Sequence, residues 1–204
     1  YNFFDISEIE NVTPFLENPN LIGMNVTIPY KQAIIPFLDG LSDEAQQIGA
    51  VNCVSFKNGK KIGYNTDAFG FEKTLLINKK DHHKKALILG DGGAAKAVRY
   101  ILNKHNIEHQ TISRKSEITF ENLSEDLVKD SLLIIQTTPV GTFPNVDDSV
   151  QFPFEAITNQ HYVIDLIYNP SETAFLKKSA EKGATTLNGF YMLEQQAERA
   201  WEIW

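Results

Sequence analysis

The feature that most constrains this chain is a short apolar run, at residues 86–89, that leads directly into glycines. A run of this length is typical of a buried parallel strand. Gly90, Gly92 and Gly93 follow it, and apolar residues then recur at helical spacing over 94–102. A strand, a glycine turn and a helix in this order can bind a pyrophosphate on the free N–H groups of the helix N-terminus. The alternative is an ordinary strand-to-helix loop, which the flanking elements disfavour.

The next predicted strand, residues 109–112, indicates which dinucleotide the loop would bind. NAD-binding units carry an Asp or Glu about 20 residues after the glycines, where it binds the ribose 2′-hydroxyl. Arg114 stands at about that distance after Gly90, with Lys115 beside it and no acid there. An arginine suits a 2′-phosphate, so we predict NADP as the cofactor. Asp91 opposes this prediction, because its carboxylate must point away from the pyrophosphate or weaken binding.

Composition argues against several classes of function. The 204 residues carry a formal net charge of −7, so a nucleic-acid partner is not expected. No apolar stretch approaches the roughly 20 residues of a membrane span, so no membrane partner is expected. Cys53 is the only cysteine, which excludes a disulfide framework and fits a reducing cytoplasm. His82 and His83 are adjacent and do not share a face, so no metal site is predicted.

Later strands predict the architecture of the chain. Apolar runs at 132–135 and 162–165 alternate with helical segments, which indicates a parallel sheet with right-handed crossovers. Ligands of such sheets bind beyond the carboxyl ends of the strands. We therefore predict an α/β fold with two domains. An N-terminal α/β substrate domain would span residues 1–80 and be joined by a C-terminal helix at 189–204. A Rossmann-type NADP-binding domain would span residues 81–188.

Two charged residues near predicted helix starts are candidates for catalysis. Lys31 follows Pro29, which predicts that the lysine lies in the first turn of a helix, where the helix dipole disfavours a cation. Asp67 opens another predicted helix. Taken alone, Lys31 is interpreted as a solvated surface lysine and Asp67 as a helix N-cap or first-turn acid. Together, a lysine and an aspartate in a dry cleft form a proton-transfer unit suited to carbonyl chemistry beside a hydride donor.

Neutral hydrogen-bonding side chains elsewhere suit a polyhydroxylated substrate. The candidates are Thr27, Asn52 and Gln196. Their alternative interpretation is as polar residues on a strand edge or a helix surface. Tyr168 is either a core residue or a ligand-binding one.

Seven motifs in this chain resemble, in order and spacing, those of the shikimate dehydrogenase family. They are Asn-Val-Thr-Ile-Pro-Tyr-Lys (25–31), Gly-Ala-Val-Asn (49–52), Asn-Thr-Asp (65–67), Gly-Asp-Gly-Gly-Ala (90–94), Thr-Pro-Val-Gly (138–141), Asp-Leu-Ile-Tyr-Asn-Pro (165–170) and Asn-Gly-Phe-Tyr-Met-Leu-Glu-Gln-Gln-Ala (188–197). Any one of these motifs alone is weak evidence, whereas seven in register are highly specific. The resemblance covers nearly the whole chain, from about residue 22 to residue 204.

This resemblance implies the reversible, NADPH-dependent reduction of 3-dehydroshikimate to shikimate, in the chorismate route to the aromatic amino acids. It implies that Lys31 stabilises or protonates the developing alkoxide and that Asp67 holds and tunes Lys31. The substrate contacts that it implies are Thr27, Lys31, Asn52, Asp67, Tyr168 and Gln196. The cofactor contacts that it implies are Gly90, Asp91, Gly92, Gly93, Ala94, Ser113, Arg114, Lys115, Thr138, Leu166, Gly189 and Met192.

The chain also departs from the family pattern. The family's opening strand and the paired serines that hold the substrate carboxylate would lie before Tyr1, and its last residues would lie after Trp204. We therefore expect the sequence to be incomplete at both ends. Ser113 and Lys115 replace the usual Asn and Thr, and Asp91 replaces a residue that is usually neutral.

The expected protein is a cytoplasmic enzyme, monomeric or homodimeric, that acts on a small molecule bound between its two domains. Two alternatives remain open at this point. One is a quinate/shikimate dehydrogenase that uses NAD, against which Arg114 and Lys115 argue. The other is a non-catalytic dinucleotide-binding regulator of the same fold, against which the presence of both Lys31 and Asp67 argues.

Overall fold

The computed structural model describes residues 2–204, which form two compact units. One unit comprises residues 2–66 with Ala197–Trp204, and the other comprises Asp67–Gln196. One division falls at the start of a long helix and the other falls in the middle of the last helix, whereas the sequence predicted domain boundaries at residues 80 and 188. The assignment of these helices to one domain or the other therefore stays a prediction.

The first unit is built on a four-stranded sheet with the order β1-β3-β4-β2. Its strands are β1 Gly23–Asn25, β2 Gly40–Leu41, β3 Cys53–Lys57 and β4 Lys60–Tyr64, and its helices are α1 Thr13–Leu16 and α2 Asp43–Ile48. Strand β3 is antiparallel to both of its neighbours, and β2 is parallel to β4. The buried core beside this sheet consists of Val12, Leu16, Val26, Ile34, Ala45, Val51 and Val54.

Local sequence explains two of the elements in this unit. Asn58 and Gly59 have φ angles of 54° and 72°, which are the positive values that the two-residue turn between β3 and β4 requires. Helix α2 begins after Ser42, whose hydroxyl accepts a hydrogen bond from the N–H of Ala45. An Asn-Gly pair between two strand-like runs predicts a hairpin, and a serine before two acids predicts a helix cap, so the structure confirms what the sequence indicates at both places.

Two predicted elements at the start of the chain are wrong. The opening sequence Tyr-Asn-Phe-Phe-Asp-Ile, residues 1–6, is typical of a strand and predicts one there. Residues 2–6 form no strand, and Tyr1 lies outside the described residues. The helix predicted after Pro29 is instead a series of turns over residues 28–34, followed by a 3₁₀ helix at Ile35–Phe37. The segment contains one helical hydrogen bond, from Ile34 N–H to the Tyr30 carbonyl at 3.0 Å. Pro36 has no N–H to donate to Gln32, so the turn is not extended into a longer helix.

The second unit contains a five-stranded, fully parallel sheet with the order β6-β5-β7-β8-β9. The strands are β5 Lys85–Leu89, β6 Glu108–Ile112, β7 Leu133–Gln136, β8 Tyr162–Asp165 and β9 Thr185–Leu187. The helices are α3 Thr66–Asn78, α4 Gly93–Lys104, α5 Glu125–Asp130, α6 Ala174–Glu181 and α7 Phe190–Ile203. The first residue of α3 and the last turns of α7 belong to the other unit. This sheet confirms the predicted α/β class and its Rossmann-type half.

The strand order places a ligand crevice at one point of this sheet. Strand β5 lies between β6 and β7, so the chain crosses over β5 after β6 and the order reverses there. In open α/β sheets, ligands bind at such a reversal, beyond the carboxyl ends of the strands. Two hydrogen bonds hold the strand ends together: Gly90 N–H donates to the Ile112 carbonyl at 2.8 Å, and Thr137 N–H donates to the Leu89 carbonyl at 2.8 Å.

Candidate active site

The glycine loop at the end of β5 is folded tightly against the end of β7. Gly90 has a φ of +115°, which residues with a side chain rarely adopt. A Cβ at this position would lie 2.6 Å from Thr137 Oγ1 and 3.0 Å from Thr138 Cγ2. The structure therefore brings Gly90 and Thr138 together at the switch point, as expected if both contact a cofactor.

The start of α4 is open to a ligand. Gly92 is the N-cap residue and provides no side-chain cap, and a Cβ added there would meet nothing within 4 Å. Gly93 and Ala94, the first two residues of this helix, carry no large side chain. A helix N-terminus of this kind suits a pyrophosphate, because both its N–H donors and its dipole favour an anion.

The turn after β6 presents two cations. The Ser113 hydroxyl accepts hydrogen bonds from the N–H groups of Lys115, at 3.2 Å, and Ser116, at 3.1 Å. Ser113 is buried, whereas the side chains of Arg114 and Lys115 are exposed. Ser113 thus stabilises the turn itself, and the arginine and lysine beyond the end of β6 are accessible to a ligand.

Asp91 has a partner that the sequence reasoning missed. Its Oδ1 lies 2.7 Å from Arg99 Nη1, so the carboxylate in the glycine loop forms an ion pair with a residue of α4. Arg99 and Asp91 are eight positions apart, across a loop and a helix start, and no motif indicates the pairing. This ion pair is an interaction that could hold the Asp91 carboxylate away from a pyrophosphate, as the prediction requires.

These residues fit NADP. The tight glycine turn and the uncapped helix start suit a pyrophosphate, and the exposed cations suit a 2′-phosphate.

Within residues 2–204, no three His, Cys, Asp or Glu side chains are grouped so as to hold a metal ion. None of the helices described for these residues is long and apolar enough to span a membrane.

The residues expected near the nicotinamide also lie together in the second unit. A Cβ on Gly189 would overlap the carbonyl oxygen of Leu166, so only glycine permits this approach. Gly189 N–H donates to the Ile167 carbonyl at 3.0 Å, which ties the start of α7 to the loop after β8. Met192 is buried, one turn further along α7.

Asp67 and Gln196 lie on neighbouring helices of this unit. A Cβ on Gly70 would come within 2.6 Å of the Met192 carbonyl oxygen and 3.2 Å of Gln196 Cβ, so α3 and α7 are in close contact. Asp67 is three residues before Gly70, on the same face of α3. Asp67 is 6% exposed, so its carboxylate is withdrawn from bulk solvent.

The predicted residues of the first unit have mixed surroundings. Lys31 is half-buried, lies in a turn, and accepts at its carbonyl a 2.7 Å hydrogen bond from Val51 N–H. The expectation that it occupies the first turn of a helix is therefore wrong, and the helix dipole has no role there. Thr27 is exposed. Asn52 is buried, with Oδ1 accepting from Thr66 N–H at 2.7 Å and Nδ2 donating to Thr66 Oγ1 at 2.9 Å.

Asn52 therefore has a structural task that its sequence motif does not reveal. Thr66 is the first residue of α3, so the Asn52 amide fixes the point at which this helix begins. Asp67 follows Thr66 directly in the chain. The side-chain amide of Asn65, the residue before this helix, donates to the Ala50 carbonyl at 2.9 Å.

Asp165 is a second residue that sequence reasoning did not single out. It is fully buried at the end of β8; one carboxylate oxygen accepts from Ile167 N–H at 3.0 Å and the other from the Thr173 hydroxyl at 2.7 Å. Thr173 in turn caps α6. Asp165 thus fixes both ends of the loop that carries Leu166 and Tyr168, the latter half-exposed. Burial raises the pKa of Asp165 to about 6, against the lowering effect of these two hydrogen bonds.

A pH-dependent contribution to stability follows from this raised pKa. The folded state binds a proton at Asp165 more tightly than the unfolded state does, so the stability that this group contributes falls as pH rises from about 4 to about 6. The expected decrease in the free energy of unfolding over this pH range is ~3 kcal/mol, from a shift of about two pKa units. Asp165→Asn cannot ionise, so we expect its stability not to show this decrease. Urea unfolding of both proteins between pH 4 and 7 measures it, with the exposed Asp126→Asn as control. Parallel pH profiles for wild type and Asp165→Asn would contradict the assignment.

Comparisons with known proteins point to one family. The family model for the shikimate dehydrogenase substrate binding domain matches residues 1–54. The shikimate dehydrogenase (NADP(+)) of Clostridium beijerinckii is 41% identical over 222 residues, which cover 100% of this chain and 80% of that protein.

Solved structures show the same similarity in three dimensions. The shikimate 5-dehydrogenase of Thermus thermophilus, in complex with NADP(H) and shikimate, has a TM-score of 0.86 and 30% identity, over 97% of this chain and 79% of that one. The quinate dehydrogenase of Corynebacterium glutamicum, in complex with NAD, has a TM-score of 0.85 and 28% identity, over 96% of this chain and 77% of that one.

Proposed function

The chain belongs to the shikimate dehydrogenase family, and from that premise we propose which of its residues carry out the NADPH-dependent reduction of 3-dehydroshikimate to shikimate. The observation that carries the proposal is the glycine loop at the β5/β7 switch point. Gly90 is pressed against Thr138 there, the start of α4 is uncapped, and Arg114 and Lys115 are exposed at the next strand end.

The cofactor assignment divides the site into three parts. The pyrophosphate would bind the loop and first helical turn formed by Gly90, Asp91, Gly92, Gly93 and Ala94, of which Asp91 contributes backbone rather than its carboxylate. The 2′-phosphate would bind the turn formed by Ser113, Arg114 and Lys115. The nicotinamide would lie against Thr138, Leu166, Gly189 and Met192. Bound NADPH supplies the hydride that the reaction requires.

Lys31 and Asp67 are assigned to the reacting end of the substrate. As the carbonyl is reduced, negative charge develops on its oxygen, and the Lys31 ammonium would stabilise that charge and donate a proton. Asp67 would accept a hydrogen bond from a substrate hydroxyl and support the protonated form of Lys31 during the same step. Its burial strengthens both interactions, because a lower local dielectric strengthens electrostatic attraction.

The remaining substrate contacts are neutral side chains suited to hydroxyl groups. Thr27, Asn52, Tyr168 and Gln196 are assigned to this role. Asn52 would combine it with fixing the start of α3. We further propose that the enzyme works in the cytoplasm, as a monomer or homodimer, with residues 1–80 and the C-terminal helix as its substrate domain and residues 81–188 as its NADP domain.

An assay with two substrates and two cofactors tests the proposal. The full chain should reduce NADP⁺ with shikimate, followed as absorbance at 340 nm, and should do so more efficiently than it reduces NAD⁺. Preference for quinate and NAD⁺ would favour the activity named for the Corynebacterium glutamicum neighbour. Binding of NADP⁺ without turnover on either substrate would favour a non-catalytic regulator.

Cofactor choice can be tested at one residue. We expect Arg114→Ala to raise the KM for NADPH by about tenfold or more, because a charge-assisted phosphate contact contributes roughly 1.5–3 kcal/mol. The KM for NADH, which lacks the 2′-phosphate, should change little. Steady-state kinetics with both cofactors measure this, and Lys129→Ala, an exposed cation on α5, is the control. Equal, small effects on both cofactors would remove Arg114 from the site.

A further inference from the structure

Asp91 places a negative charge in the loop that is proposed to bind the pyrophosphate of NADP. It directly precedes Gly92, the N-cap residue of α4, so it places a negative charge beside the N–H groups assigned to the pyrophosphate. A carboxylate at a helix N-terminus interacts favourably with the same N–H groups and dipole that bind an anion. An unpaired carboxylate there would both compete with the pyrophosphate and repel it.

Arg99 provides a positive charge that pairs with the Asp91 carboxylate. Its Nη1 donates to Asp91 Oδ1 at 2.7 Å and lies 3.5 Å from Thr111 Oγ1 on β6. The guanidinium therefore contacts the glycine loop and the neighbouring strand from its own helix α4. Because Thr111 lies on the β6 side of the loop, the ion pair draws the Asp91 carboxylate towards that side.

We infer that Arg99 is a positioning residue for the dinucleotide: by pairing with Asp91 it neutralises the carboxylate and holds it off the start of α4. This inference rests on the proposed function, since it concerns the affinity of that same site for a pyrophosphate. It assigns Arg99 no direct contact with the cofactor. The effect on the ligand comes through Asp91 alone.

Because the ion pair is partly exposed, an effect on cofactor binding can be distinguished from an effect on folding stability. The side chains of Arg99 and Asp91 are 27% and 52% exposed, and exposed ion pairs contribute little to folding stability. A pyrophosphate carries its negative charge directly at this loop, so an uncompensated carboxylate acts on it over a short distance. Unit charges several ångströms apart near a protein surface change an equilibrium constant by about tenfold or more.

A double-mutant cycle on cofactor binding tests the inference. Titration calorimetry with NADP⁺ at low ionic strength would give the Kd for the wild-type full chain, Arg99→Ala, Asp91→Asn and the double variant. We expect Arg99→Ala to weaken binding by about tenfold and Asp91→Asn to bind at least as tightly as wild type. The double variant should regain the affinity of Asp91→Asn to within a few fold, and the loss in Arg99→Ala should shrink at high salt.

Controls make each outcome decisive. Lys129→Ala breaks an exposed ion pair on α5 and should leave the Kd unchanged. Arg99→Gln, which keeps most of the length of the side chain, replaces Arg99→Ala if that variant does not fold, as judged by its melting temperature. A double variant as weak as Arg99→Ala, or an Arg99→Ala protein that binds like wild type, would overturn the inference while wild-type binding still supported the proposed function. Wild-type protein that bound no NADP⁺ would overturn both.

Discussion

Replacing Lys31 by alanine is expected to lower the turnover number for shikimate oxidation by about 10²- to 10⁴-fold, the contribution typical of general acid–base catalysis. The KM for shikimate should stay within a few fold of wild type, because the ammonium acts on charge that develops only in the transition state. Steady-state assays of NADPH formation measure both quantities.

The matched control for this variant is Lys60→Ala. Lys60 is an exposed lysine on β4 in the same unit, and its removal should leave turnover unchanged. Near-normal turnover in Lys31→Ala would return Lys31 to the role of an ordinary half-buried lysine in a turn.

Asp67→Asn is expected to impair both turnover and substrate binding. The amide keeps the shape of the side chain but loses the charge, and a hydrogen bond to a charged group contributes roughly 1.5–3 kcal/mol. We therefore expect the KM for shikimate to rise by about tenfold or more, together with a fall in turnover. Kinetics and the melting temperature should be measured on the same samples, with Asp43→Asn as a control in the first turn of α2.

Combining the two substitutions tests whether the residues act in one step. If Lys31 and Asp67 serve the same proton transfer, the double variant should lose much less activity than the product of the two single losses. Simply multiplied losses would show independent roles. A fall in melting temperature without a change in kinetics for Asp67→Asn would reduce Asp67 to a first-turn acid of α3.

Local patterns predicted the elements that local chemistry decides. The strand, glycine turn and helix over residues 86–102 were predicted because burial, φ freedom and helical spacing are all readable within a few residues. The Asn58-Gly59 hairpin and the Ser42 cap were predicted for the same reason. The family resemblance then allowed each motif to be assigned a role in the reaction.

Two elements were missed because residues several positions away decide their structure. The segment after Pro29 was predicted as a helix because the effect of Pro36, seven residues later, was not weighed. The sequence predicts a helix that is capped by Ser171 and runs to about Lys182, whereas Thr173 is the cap of α6. Serine is in general the better cap, but the Thr173 hydroxyl also donates to the buried carboxylate of Asp165, a contact that the sequence does not reveal.

The ion pair between Asp91 and Arg99 at the glycine loop could not be predicted from the sequence either. Asp91 was recognised as unfavourable for an anion, but its partner could not be identified from the sequence, since Arg99 is one of several cations on α4. Only the fold places that guanidinium, rather than its neighbours, 2.7 Å from the carboxylate. The glycine loop can therefore be predicted from the sequence, whereas the ion pair that compensates its charge can be identified only from the three-dimensional structure.

The most direct test of the account compares NADPH formation from shikimate by the wild-type full chain and by Lys31→Ala, with the Kd for NADP⁺ measured on both. The account predicts rapid NADPH formation by wild type, a loss of about 10²-fold or more in the variant, and equal cofactor affinity. Wild-type turnover no higher than that of Lys31→Ala, in protein that binds NADP⁺, would contradict it.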